Sequence, residues 1–287
     1  MDGDGDLDAF VANIDTGNRI WLNQGGTQGG TDGIFVDSGQ SLGTSTSRAV
    51  ALGDLDDDGD LDAFAANASG QANQVWVNQG GAQGGAAGVF LDSGQTLGSA
   101  NSLSVSVGDL DGDEDLDAFV SNNGANVIWV NQGGAQGGAA GSFLDSGQSL
   151  GSGVSLGIDL GDLDGDGDLD AFVANGGSNR VWINQGGAQG GTLGEFIDSA
   201  QTLGGSGSQA VRLGDVDGDG DLDAFVVNYN ADFRTFLFDE EFGGFEGCKS
   251  AKQGVSCEFI HSVCRVQLPR GAFRRPVSLS TRRELAL

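Results

Sequence analysis

The sequence predicts an all-β protein, a β-propeller built from four-stranded blades of about 53 residues and incomplete at four to five blades. Three observations carry this. Asp-rich loops begin at Asp54, Asp109, Asp162 and Asp215, at spacings of 55, 53 and 53 residues. The words between them recur as well: Trp21-Leu22-Asn23-Gln24-Gly25-Gly26 returns from Trp76, Trp129 and Trp182, and Asp37-Ser38-Gly39-Gln40 returns from Asp92, Asp145 and, with Ala200 in place of Gly, Asp198. Finally, 53 glycines, 2 prolines and no Gly-x-y period exclude collagen and disfavour long helices, while 16 Phe and 4 Trp leave enough apolar bulk for a core.

The elements follow in order. An opening copy of the loop survives as Asp2, Asp4, Asp6 and Asp8, without its first ligand, and belongs to a part-blade over residues 1–45. Blades then span about 46–101, 102–152 and 153–206, with a part-blade at 207–238. In the third full copy, runs rich in Val, Ile, Phe and Trp predict strands at 154–160, 170–175, 180–184 and 195–200, separated by Gly, Asn and Ser. The Asp loop joins the first strand to the second. Trp21, Trp76, Trp129 and Trp182 sit mid-strand between aliphatic residues and are expected to pack between blades rather than bind sugar. Asn23, Asn78, Asn131 and Asn184 are expected to bond local backbone at strand ends, and the Gly-Gly-x-Gln-Gly-Gly linkers to be surface loops without chemistry.

Charge is unevenly spread. The net charge is −28, and 9 of the 13 Lys and Arg lie in residues 231–287 with all 3 Cys and the lone His. Residues 1–230 contain no Lys, Cys or His. A field of that sign repels nucleic acid and attracts cations, and no run is apolar enough to span a bilayer. Met1 stands where the second loop residue belongs, so the sequence predicts a truncated chain that has lost an export signal. The segment 239–287 reads as an atypical basic tail, disordered or out of frame. Cys248, Cys257, Cys264 and His261 fit no zinc spacing.

The loop from Asp162 packs five carboxylates and two glycines into nine residues. Unpaired, those charges repel, so the composition calls for a cation, and Ca²⁺ with its six to eight hard oxygen ligands is the natural one. Asp162, Asp164 and Asp166 occupy positions 1, 3 and 5. Gly167 permits the turn at position 6, Asp168 offers a carbonyl at position 7, and Asp170 closes the shell at position 9. Position 12 is Val173 instead of a bidentate Glu, and strand-like residues follow directly, which excludes an EF-hand protein. The absence of His and Cys from the loops argues against zinc.

This loop resembles the calcium-binding hairpin loops of FG-GAP repeats, as in integrin α-subunit propellers. With Asn-Gln-Gly-Gly and a later Phe, the period over residues 1–230 is most similar to the related VCBS repeats of bacterial surface and secreted proteins. The resemblance implies Ca²⁺ held by Asp side chains at positions 1, 3, 5 and 9 and by the carbonyl at 7. Carried over, the sets are Asp54, Asp56, Asp58, Asp60 and Asp62; Asp109, Asp111, Asp113, Asp115 and Asp117; the set from Asp162; and Asp215, Asp217, Asp219, Asp221 and Asp223. Glu114 replaces the position-6 glycine, which predicts strain and weaker binding in that loop.

The function that follows is a non-catalytic, calcium-binding module at the cell surface or outside the cell, with an extracellular protein or glycan as partner. It inserts in no membrane and binds no nucleic acid. The alternative is an accessory carbohydrate-binding propeller of a secreted polysaccharide-processing enzyme. Catalysis by the chain itself is not expected, because the repeated carboxylates are committed to metal and Glu195 stands alone without a partner acid.

Overall fold

Each period of the chain folds into one small antiparallel sheet in a computed structural model that describes residues 1–205, 207–229, 234–239, 244–247, 250–251 and 254–255. Blade I has three strands: β1 (Ala9–Val11), β2 (Arg19–Asn23) and β3 (Phe35–Asp37). Blade II is β4 (Ser47–Gly53), β5 (Asp62–Asn67), β6 (Gln74–Asn78) and β7 (Phe90–Asp92). Blade III is β8 (Ser102–Gly108), β9 (Asp117–Asn122), β10 (Val127–Asn131) and β11 (Phe143–Asp145). Blade IV is β12 (Ser155–Gly161), β13 (Asp170–Asn175), β14 (Arg180–Asn184) and β15 (Phe196–Asp198). Blade V is β16 (Ser208–Gly214), β17 (Asp223–Asn228), β18 (Arg234–Asp239) and β19 (Gly244–Gly247). The strands expected in blade IV therefore fall within a residue or two of those found, the fourth being shorter.

Strand order within each blade is sequence order, so every connection is a hairpin. First strands β4, β8, β12 and β16 lie side by side in that order. The second strand of each full blade is sandwiched between neighbouring sheets, which is why Asp-Ala-Phe-Val-Ala-Asn reads as a continuous apolar run rather than an alternation. Outer strands β7 and β11 are three residues long and expose two of them, short enough to limit edge pairing.

The core is four interfaces, not one centre. Phe64 of blade II meets Phe143 of blade III edge-on, with ring centroids 5.5 Å apart at 84°. Phe119 and Phe196 repeat this across blades III and IV, and Phe10 and Phe90 across I and II. The tryptophans fill the same seams. A Cβ at Gly43, Gly98 or Gly151 would stand 3.1–3.4 Å from the ring of Trp76, Trp129 or Trp182 of the following blade, so glycine leaves room for the indole. Trp76, Trp129 and Trp182 are buried, while Trp21 of blade I is 37% exposed. In blade V, Phe236 takes the register place of Trp, opposite Ala224. The four buried clusters join blade I to II, II to III, III to IV and IV to V.

Contacts divide the chain at Gly247 into Met1–Gly247 and Cys248–Leu287. The fourth strand of blade V thus comes from the stretch that composition assigns to the tail. In the second unit β20 (Ser250–Ala251) pairs with β21 (Gly254–Val255). Cys248, Cys257, Cys264 and His261 lie outside the described residues. Among those described, no helix is long and apolar enough to cross a membrane.

Candidate metal centre

The loops of blades II to V fold around their first carboxylates. Asp162 Oδ1 accepts backbone N–H bonds from Gly165 (2.8 Å) and Asp166 (3.1 Å), and Oδ2 accepts one from Gly167 (3.0 Å). Asp166 Oδ1 then accepts the Asp168 N–H at 2.9 Å. Gly167 at φ 96° makes the turn. Short polar side chains bonding their own backbone a few residues on produce such loops without neighbouring elements. The geometry recurs around Asp109, where Glu114 adopts φ 76° in place of glycine.

Position 9 starts the second strand and is buried. Asp62 accepts the N–H groups of Leu55 (3.0 Å) and Asn78 (2.7 Å). Asp117 accepts those of Leu110 and Asn131, and Asp170 those of Leu163 and Asn184. One carboxylate so ties the loop to the third strand, and its oxygens keep lone pairs for a cation.

The fold brings together Asp54, Asp56 and Asp58; Asp109, Asp111 and Asp117; Asp162, Asp164 and Asp170; and Asp215, Asp217 and Asp223, with one oxygen of each in a set within 4.8 Å of the others. Position 3 carries the sharpest signal. Oδ1 of Asp56, Asp111 and Asp164 is buried without any hydrogen-bond partner, while Oδ2 of each accepts a side-chain amide N–H from Gln83, Gln136 or Gln189. Asp60, Asp115, Asp168 and Asp221 at position 7 stand outside these sets, as do Asp62, Asp113, Asp166 and Asp219. In the opening loop Asp2, Asp4, Asp6 and Asp8 form no such set among the described residues, and the Met1 amino group lies 2.8 Å from Asp8.

Crowding leaves its mark on proton affinity. Burial raises Asp62, Asp117 and Asp170 to about 7, against the pull of the N–H bonds from Asn78, Asn131 and Asn184. Burial, then neighbouring carboxylates, raises Asp56, Asp111 and Asp217 to about 6, and Asp164 is raised for the same reasons. Such a loop could hold a cation, which would satisfy the partnerless oxygens and cancel the repulsion. Oxygen-only donors fit a hard divalent ion.

The linkers correct the expectation that they are chemically silent. Each forms a 3₁₀ turn, Gly81–Gln83, Gly134–Gln136 and Gly187–Gln189 in blades II to IV, and its glutamine caps position 3 of the loop. The strand-end asparagines also do more than bond locally. Asn131 Nδ2 donates to Leu116 O in its own blade (3.3 Å) and to Leu55 O in the loop of the preceding one (2.9 Å). Asn184 does the same toward Leu169 and Leu110. Gln95 of blade II donates to Gly141 O and accepts from Phe143 N of blade III. The recurrence of Asn-Gln-Gly-Gly at a constant distance from every loop was the available signal.

At the other end of the strands, a groove of about 400 Å³ lies where blade III passes into blade IV, lined by Asn126, Val154, Asn175, Arg180, Trp182 and Asp198. Arg180 Nη1 sits 3.5 Å from the Asp198 carboxylate and donates to Gln201 O.

Comparison with known proteins agrees with this architecture. A search of curated proteins returned no match. A crystal structure of a protein from Lactobacillus plantarum is similar at a TM-score of 0.53 and 13% identity, over 84% of this chain and 66% of that one. The chain thus spans just under two thirds of that protein, and the likeness concerns the fold alone. The description "FG-GAP-like repeat" matches four times, at residues 1–65, 54–120, 109–173 and 162–226. Those matches cover most of the chain, which belongs to the FG-GAP-like repeat family.

Proposed function

We propose that this chain is a non-catalytic β-propeller module whose Asp loops bind Ca²⁺ as structural staples, and that it serves extracellular adhesion or ligand binding. The observation that carries the reading is the position-3 oxygen. In three successive blades it is buried, partnerless and grouped with two other carboxylates. An ionised oxygen in that setting costs several kcal/mol unless a charge answers it. In the FG-GAP repeats that the loops resemble, calcium is that charge. The chain's own residues shape the site: Asp162 curls the loop, Asp170 anchors it to the third strand, and Gln189 closes it from above.

Calcium supplies charge neutralisation here and no reaction step. Sites of extracellular type bind at roughly 10⁻⁴–10⁻³ M and fill outside cells. Each adds about 2.7 kcal/mol to stability at a hundredfold excess over Kd. Calorimetric titration of the chelated protein with Ca²⁺ is expected to show several binding events, and melting with and without chelator is expected to differ by many degrees. A flat titration with coincident melts would refute the reading.

The groove at Arg180 favours the second reading, an accessory carbohydrate-binding propeller. It offers an aromatic edge, two amides and an ion pair at one seam, a lining suited to a polar ligand. Selective polysaccharide binding on a glycan array, lost in Arg180→Ala, would favour it over protein adhesion.

A further inference from the structure

In blades III and IV the asparagine that ends the third strand holds two loops at once. Asn131 gives its backbone N–H to Asp117, a member of the acidic group in its own blade, at 2.8 Å. Its side-chain Nδ2 donates to Leu55 O, 2.9 Å away in the loop of blade II. That carbonyl lies in the peptide joining Leu55 to Asp56, which belongs to the acidic group of blade II. Asn131 Oδ1 accepts the Gly141 N–H at 2.9 Å, and a Cβ on Gly141 would stand 3.0 Å from Asp56 Cβ. Blade III therefore seats the position-3 residue of blade II twice, by a hydrogen bond just before it and by a glycine packed against it.

The same set recurs one blade on. Asn184 gives its N–H to Asp170 at 2.8 Å and its Nδ2 to Leu110 O at 2.9 Å. Its Oδ1 accepts the Gly194 N–H at 2.8 Å, and a Cβ on Gly194 would stand 3.0 Å from Asp111 Cβ. Leu110 N–H in turn goes to Asp117 at 3.0 Å, and Leu55 N–H to Asp62 at 3.0 Å. An unbroken line of hydrogen-bonded residues thus runs Asp62, Leu55, Asn131, Asp117, Leu110, Asn184, Asp170. Every member is 1% exposed or less, so water does not compete for these bonds. The pattern stops at the loop from Asp162. Asn131 and Asn184 stand two residues after Trp129 and Trp182, whereas in blade V Phe238 stands two residues after Phe236. Phenylalanine has no amide to offer Leu163 O.

We propose that calcium binding is coupled among the loops at Asp54, Asp109 and Asp162 through Asn131 and Asn184, and that the loop at Asp215 fills independently of them. The inference rests on the reading of the loops as calcium sites. In an empty loop the carboxylates repel one another, which loosens the peptides that carry them. With the Asp109 loop filled, Asp111 and Asp117 are drawn together. Asp117 then steadies Asn131, which holds Leu55 and Gly141 where Asp56 needs them. The Leu110–Asp111 peptide steadies Asn184, which holds Asp170. Order imposed by the first ion need not be imposed again, so the neighbouring loops bind more tightly. By linkage each site strengthens the other by the same factor.

Backbone amides at position 6 report each loop separately. Gly59, Glu114 and Gly167 donate to the position-1 carboxylates of their own loops, and Gly220 stands at the same place in the Asp215 loop. Calcium titration of the isotope-labelled full chain, followed by NMR, is expected to move the first three amides together along one steep curve and Gly220 along its own. Asp111→Asn, which disables the Asp109 loop, is expected to raise the calcium midpoints at Gly59 and Gly167 about fivefold or more and to leave that of Gly220 in place. Unmoved midpoints at Gly59 and Gly167, or an equal shift at Gly220, would overturn the coupling and keep the calcium sites. No response at any of these amides would overturn the calcium reading itself. In the background Asn131→Ala, Asn184→Ala the effect of Asp111→Asn is expected to vanish, and its persistence would overturn the role given to the asparagines. Should that background fail to fold, Asp217→Asn disables the Asp215 loop instead. It is expected to shift none of the other midpoints, and a shift would overturn the claimed independence.

Discussion

The side-chain amide of Asn131 donates a 2.9 Å hydrogen bond to the carbonyl of Leu55, 76 residues earlier and in the Asp loop of the preceding blade. Its oxygen accepts the Gly141 N–H at 2.9 Å, and its own N–H goes to Asp117. One buried residue thus joins two loops and the end of a linker. Asn131→Ala leaves those backbone groups unpaired, which costs about 1–3 kcal/mol. The expected result is a lowered melting temperature together with weaker calcium binding at the Asp54 loop, to which Leu55 belongs. Calorimetry at that loop, isolated by removing the others' position-3 carboxylates, checks it.

Metal removal should invert the usual acid sensitivity. Asp62, Asp117 and Asp170 sit near 7 in the folded chain, raised by burial, against about 3.9 in an unfolded one. Between those values the folded state binds more protons than the unfolded state, so stability falls as pH rises. In chelator the melting temperature is expected to drop from about pH 4 to about pH 7, then level off. With calcium in excess the carboxylates stay ionised and the trend should flatten or reverse. Melts across that range in both buffers decide the matter.

Two side chains stand where the repeat elsewhere uses glycine. Ala200 has φ 62° and Glu114 φ 76°, while a Cβ at the equivalent Gly94, Gly147, Gly59 or Gly167 would meet nothing within 4 Å. The cost is therefore backbone strain alone, about 1–2 kcal/mol at each position. Ala200→Gly and Glu114→Gly are each expected to stabilise the protein by about 1 kcal/mol, and the second also to tighten calcium at Asp109. Denaturant midpoints with an unchanged slope would record it.

The tryptophans should not be equivalent. Trp129 and Trp182 fill seams between blades, and truncation to Ala costs about 3–5 kcal/mol. Trp21 is 37% exposed, so Trp21→Ala is expected to cost less than half as much. Comparing the three melting temperatures tests whether the interfaces, and not the strands themselves, carry the stability.

Much of this was legible in the chain because repetition is itself a measurement. The 53-residue period, strand boundaries at Asp170–Asn175 and Arg180–Asn184, and the Asp loops need only hydrophobic pattern and turn chemistry, which act over a few residues. Blade V was harder to see. Its last two strands, Arg234–Asp239 and Gly244–Gly247, lack the recurring Trp-x-Asn-Gln-Gly word, and Phe236 takes the register place of Trp.

Five carboxylates in nine residues raise by themselves the expectation of a cation, since like charges at that density repel whatever the fold. Tertiary structure decided where each oxygen goes. It showed Asp170 spent partly on backbone N–H groups, Asp164 half bare, and Asp168 turned away toward Gly186. It also decided why the linker begins with two glycines and why the third strand ends in Asn. The physical reason is common to both: a glycine's missing Cβ and an amide's reach acquire meaning only from what a distant part of the chain places opposite them.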